Sequence, residues 1–168
     1  MSDQELGIYL NDHLAGSTGG LALARRAARN ATGSERTGMW EKLAAEISEE
    51  REILTRIRDT IGVTPNRAKY VVAWAGEKAG RLKLNGYLLR KSDLGQMLEL
   101  EMLLLGVTGK LSLWKALIRL EDPRLEGFDL EGLAAQADAQ RNRLEQFRIN
   151  LVPAALGGGQ AEVDPSLT

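Results

Sequence analysis

Apolar residues recur along this chain at helical spacing, in four separate stretches. Leu10, Leu14, Ser17, Leu21, Ala24 and Ala28 form one stripe, and Trp40, Leu43, Ile47, Leu54, Ile57 and Ile61 a second. Leu100, Leu104, Val107, Leu111, Trp114 and Ile118 form a third, followed by Leu130, Leu133, Ala137, Leu144, Phe147 and Leu151. Gly33 and Ser34 separate the first pair, with Ser34 the expected N-cap of the second helix. Gly62 followed by Pro65 reads as a helix stop. "EDPRLEGFD" reads as the turn of the second pair, with Asp129 as N-cap. Val, Ile and Thr never cluster in alternating runs, so the pattern predicts an all-α chain without a sheet.

Shifted by 90 residues, the chain matches itself without a gap. Gly16, Thr18, Gly19, Leu21, Leu23 and Arg29 fall on Gly106, Thr108, Gly109, Leu111, Leu113 and Arg119. Glu41, Leu43, Ala44, Ala45, Arg51, Leu54 and Arg58 fall on Glu131, Leu133, Ala134, Ala135, Arg141, Leu144 and Arg148. Residues 2–61 and 92–151 therefore read as two duplicated helical hairpins, joined by a long central crossover at 62–91. A short link would force antiparallel neighbours, whereas a long one predicts a four-helix bundle with a crossover, a single domain over 1–152. The crossover is expected to hold a short helix near 66–81. The Gly- and Pro-rich stretch from 153 to 168 reads as a disordered tail.

Duplicated hairpins with a central crossover resemble the ferritin-like superfamily, a likeness that covers residues 2–151. "GEKAGRLKLNG" (76–86) is also similar to a stretch of uncharacterised bacterial helical proteins, which implies no activity. The ferritin-like resemblance implies a di-iron or di-manganese site, built from one Glu on each of two helices and a Glu-x-x-His on each of the other two. The helical pattern points one polar residue of each helix inward or nearly so: His13, Glu50, Glu101 and Gln140, with Glu46 one turn before Glu50. The details depart from the motif. Ile53 stands three residues after Glu50, Arg143 three after Gln140, and the chain has a single histidine. An intact di-metal site within one subunit is thus not expected. A single divalent metal on His13, Glu46, Glu50 and Glu101 remains the chemical alternative, and with it a metal-dependent oxidoreductase. The simpler expectation is a polar layer without cofactor. Glu50 and Glu101 would take a cation or a proton, the cations from among bordering arginines such as Arg51, Arg58, Arg141 and Arg148, and His13 would bond a carboxylate.

Charge changes the picture in one place. The net charge is −1, yet residues 62–91 alone carry +6, so the rest of the chain carries −7. Lys69, Lys78, Arg81 and Lys83, interleaved with Trp74, form a candidate surface for an anionic partner or nucleic acid. The bland reading has this segment lying across acidic helices. Gly16 and Gly20, like Gly76 and Gly80, have small-x-x-x-small spacing, and Gly106 and Gly109 match Gly16 and Gly19 in the second copy. Each glycine costs about 1 kcal/mol against Ala inside a helix. Close packing of the crossover or of a second subunit, hence a homodimer, is the expected return.

With no cysteine there is no disulfide framework or thiolate chemistry. The N-terminus is acidic where a signal peptide is basic, and "MLLLGV" is far short of the roughly 20 residues that cross a bilayer. A cytoplasmic protein without membrane contact is expected. No phosphate-binding glycine loop, Ser-His-Asp set or helix-turn-helix pattern is present. The sequence thus favours a non-enzymatic binding or protein-interaction module.

Overall fold

The computed structural model describes residues 3–31, 33–63 and 92–157. It contains α1 (Asp3–Asn30), α2 (Ser34–Ile61), α3 (Asp93–Leu120), a 3₁₀ turn at Pro123–Leu125, and α4 (Leu130–Leu156), with no strand among the described residues. α1 packs on α2, α3 on α4, and α1 on α3. The chain forms a four-helix bundle. The crossover helix expected near 66–81 lies outside the described residues.

The helix ends follow from local chemistry. α2 stops at Gly62, whose φ of 81° is left-handed, while the amides of Gly62 and Val63 bond back to Asp59 and Arg58 carbonyls. The Asp129 carboxylate accepts from the Gly132 amide at 2.9 Å, as the pattern predicts for an N-cap. Ser34 differs from expectation: it is already helical, and the capping position falls on Gly33, with φ 89° and no side-chain bond to the helix. Ser92 caps α3 by accepting from the Gly95 amide at 3.1 Å. α4 also runs past the expected boundary, continuing through Pro153 to Leu156. Proline at this point forfeits one bond of the final turn, and its own carbonyl accepts from the Gly157 amide at 2.9 Å.

Two apolar clusters fill the bundle. One joins Leu6, Leu10 and Leu14 of α1 to Leu54, Ile57 and Ile61 of α2, Leu111, Trp114 and Leu117 of α3, and Leu133 and Ala137 of α4. The other joins Leu21, Ala24 and Ala27 to Trp40, Leu43 and Ile47, Leu100, Leu103 and Val107, and Leu144. The order in which each helix visits the clusters fixes its direction. α1 and α4 run from the first cluster to the second, and α2 and α3 run from the second to the first. α2 and α3 are therefore parallel, and the end of α2 and the start of α3 lie at opposite ends of the bundle, roughly 40 Å apart for helices of this size. That is the topology a long crossover predicts.

The loop between α3 and α4 closes one end. Leu125 in the 3₁₀ turn is buried in the first cluster. Beside it Arg124 donates to the Ile61 carbonyl at 3.3 Å and to Asp3 at 2.9 Å, tying three segments together. No helix among the described residues is long and apolar enough to cross a membrane.

Candidate functional site

Every helix passes from one apolar cluster to the other at its midpoint, and a layer of polar side chains lies there. Glu50 and Gln140 are buried, at 3% and 0% exposure, as the helical pattern predicts for both. The Lys110 ammonium on α3 donates to Glu50 Oε2 and to Gln140 Oε1, and Gln140 Nε2 donates to Glu50 Oε1 at 3.0 Å. Three side chains from three helices thus close a ring, one anion, one cation and one amide. The amide is the residue that lets it close, since it accepts from the lysine and donates to the carboxylate. At its edge Arg143 Nη2 donates to Glu46 at 2.5 Å, a second neutral pair between α4 and α2.

Desolvation governs the electrostatics. Burial pushes the Glu50 carboxyl above its usual range, with Lys110 and Gln140 pulling the other way. Burial likewise lowers Lys110, against the pull of Glu50 and Glu46. Each charge is held at a cost that its partner offsets only in part, as expected for an ion pair taken out of water.

The four metal candidates are not brought together. Glu50 is committed to Lys110 and Gln140, Glu46 to Arg143, and Glu101 lies 3.7 Å from Arg148 with its side chain 42% exposed. His13 packs edge-on against Tyr9, ring centroids 4.7 Å apart, rather than meeting a carboxylate as expected. Burial lowers its imidazole below the ordinary value, and the nearby Asp12 opposes this. Among the described residues no three acidic, histidine or cysteine side chains are placed to hold a metal ion. The physical reason is that cationic side chains already occupy these carboxylates.

The expected arginine partners go elsewhere. Arg51 reaches the Thr18 hydroxyl, Arg58 pairs with Asp59, and Arg141 with Asp138. Of these four arginines only Arg148 meets a candidate acid, Glu101, and it bonds Glu145 more closely, at 2.7 Å. The cation that the sequence reading missed, Lys110, carried a legible signal: it follows Val107 by three residues and precedes Trp114 by four, squarely on the buried arc. The buried acid of "MLELEMLLLG" is likewise not Glu101 but Glu99, which is 5% exposed and accepts from Arg26 of α1 at 3.0 Å. α3 is apolar around most of its circumference, so periodicity alone places its buried face about half a quadrant away from where contact with α1 puts it.

The mid-helix glycines of α1 and α3 present bare faces among the described residues. Gly16, Gly19, Gly106 and Gly109 have nothing within 4 Å of where a Cβ would stand among the described residues, and Gly20 meets only Leu103 at 3.9 Å. Gly16, Gly19, Gly106 and Gly109 therefore do not serve the α1–α3 contact itself, whereas Gly20 faces it. Lys69, Trp74, Lys78, Arg81, Lys83, Gly76 and Gly80 lie outside the described residues.

The fold and its central layer define a helical bundle with a polar waist. No known protein family, curated protein or solved structure matches the chain.

Proposed function

We propose that this chain is a non-enzymatic protein-interaction module, a cytoplasmic homodimer of ferritin-like bundles in which each bundle arose by duplicating one helical hairpin. One observation carries the functional reading: the inward acids Glu50 and Glu46, the natural ligands of a catalytic metal, are taken by Lys110, Gln140 and Arg143. A carboxylate already neutralised by a buried lysine gains little from a divalent ion and must first lose its partner.

Two features support the duplication. α1 and α3 are each 28 residues long and begin 90 residues apart, the offset at which the sequence matches itself. Thr18 and Thr108, equivalent at that offset, both bond the carbonyl four residues back, those of Leu14 and Leu104. The bare glycine faces of α1 and α3 support self-association, since a partner backbone approaches closely only where side chains are absent.

Native mass spectrometry of protein purified without chelators tests this directly. A dimer mass without stoichiometric metal is the expected spectrum. An iron, manganese or zinc adduct that disappears in Glu46→Ala and Glu50→Ala would overturn the non-catalytic reading, and a monomer at micromolar concentration would remove the dimer.

A further inference from the structure

The α3–α4 turn forms an open trough of about 430 Å³, away from the polar layer. Its lining mixes two kinds of residue. Ile118, Phe128 and Leu130 supply apolar surface, continuous with the buried Leu117 and Leu125 beneath. Glu121, Glu126 and Glu131 supply carboxylates, and none of the lining residues is basic.

The other two acids of the trough are already used. Asp122 holds Arg124 at 2.6 Å and Asp129 caps α4. Glu121 has only a solvent-exposed pair with Arg119, both side chains more than 70% exposed, an arrangement worth little. Glu126 and Glu131 meet no cation in an ion pair among the described residues. The Phe128 ring already carries a cation on one side, since the Arg56 guanidinium stands 5.5 Å from its centroid.

A small metal ion does not fit, because the acids are spread along the trough and do not converge. A simple polyamine would answer the charge and leave the apolar floor wet. An occupant that satisfies both must carry cationic and apolar side chains in alternation or on two faces. We infer that this trough docks a basic amphipathic peptide segment of a partner protein. Lys or Arg heads of that segment meet Glu121, Glu126 and Glu131, while its apolar side chains cover Ile118, Phe128 and Leu130. The inference rests on the interaction-module reading and names a partner class for it.

The test is fluorescence anisotropy of the full-length protein with a labelled Lys/Leu amphipathic peptide, against an acidic peptide of the same pattern and against spermine. Binding of the basic peptide is expected to weaken roughly tenfold in the Glu126→Lys/Glu131→Lys variant and with added salt. Leu130→Ser, which leaves the charges alone, should weaken it as well. Reversing Glu41 and Glu49, exposed on α2, should leave it unchanged, with circular dichroism confirming that each variant is folded. Equal losses from both charge reversals, or spermine binding as well as the peptide, would show bulk electrostatics and overturn the proposal. Binding that emerges only after Lys78, Arg81 and Lys83 are changed to Glu would overturn it in favour of the chain's own basic segment. A dimer lost in Glu126→Lys/Glu131→Lys would assign the trough to a second copy instead. Failure here leaves the metal-free native mass untouched, so the trough and the wider reading stand or fall separately.

Discussion

Gln140 sits at 0% exposure with both ends of its amide in use. Around it, Lys110 and Glu50 illustrate how a buried pair behaves: removing one member strands the other, while removing all polar members together relieves a desolvation cost. Lys110→Met should therefore destabilise the bundle by about 3–5 kcal/mol in urea unfolding. The triple change Glu50→Leu, Lys110→Met and Gln140→Leu should be close to neutral or stabilising; a triple variant as damaged as the single one would sink this account. His13, the only histidine of the chain, gives a second readout at the same scale. Its folded pKa is lowered below the ordinary 6.5 by burial, so the native state disfavours the proton. The stability it contributes is complete above the unfolded value and is lost as pH falls from there toward the folded value. One pair of imidazole C–H resonances, from Cε1 and Cδ2, titrating below 6.5 in NMR is the expected result, and a midpoint at or above 6.5 would contradict the burial.

Helices α2 and α4 start in different ways although they occupy equivalent places in the two hairpins. α4 starts with a carboxylate cap on Asp129, whereas α2 starts behind Gly33, whose positive φ of 89° an L residue rarely adopts. Asp129→Ala should cost about 1 kcal/mol and lower the melting temperature by a few degrees. No change in melting would mean that burial of Leu125 and Leu133 alone fixes the turn. Three of the four stripes were legible from periodicity because polar residues bound them. The stripe of α3 was legible only in part: Leu100, Val107, Leu111 and Trp114 are buried as expected, but Leu105, at 70% exposure, is as apolar as the buried Leu103 two residues before it. A helix apolar on nearly all sides carries no phase information, and its contact with α1 through Arg26 and Glu99 sets the phase instead.

Across the molecule, the two hairpins differ at the waist in a charge-balanced way. At the 90-residue offset Glu50 corresponds to Gln140, and Lys110 to Gly20. The hairpin that lacks the lysine thus also supplies the acid, and the hairpin that has the lysine supplies the amide. Gln140→Glu alone would set two carboxylates about 3 Å apart around one ammonium and should destabilise the protein. Gly20, whose added Cβ would meet only Leu103 at 3.9 Å, has room for a side chain. Gly20→Lys should rescue Gln140→Glu, with a coupling of roughly 1–3 kcal/mol in a double-mutant cycle; additive effects would mean the two positions do not share the layer. From the sequence alone come the helices, the stripes of α1, α2 and α4, part of that of α3, the inward placement of Glu50 and Gln140, and the need for a long link. These follow from periodicity and chain length, which are local. Packing of the helices against one another settles that Lys110, and no arginine, neutralises Glu50, that Glu99 and not Glu101 is the buried acid, and that His13 meets Tyr9 instead of a carboxylate. Which partner a buried charge takes depends on the relative rotation and register of different helices, and no spacing within one helix encodes those.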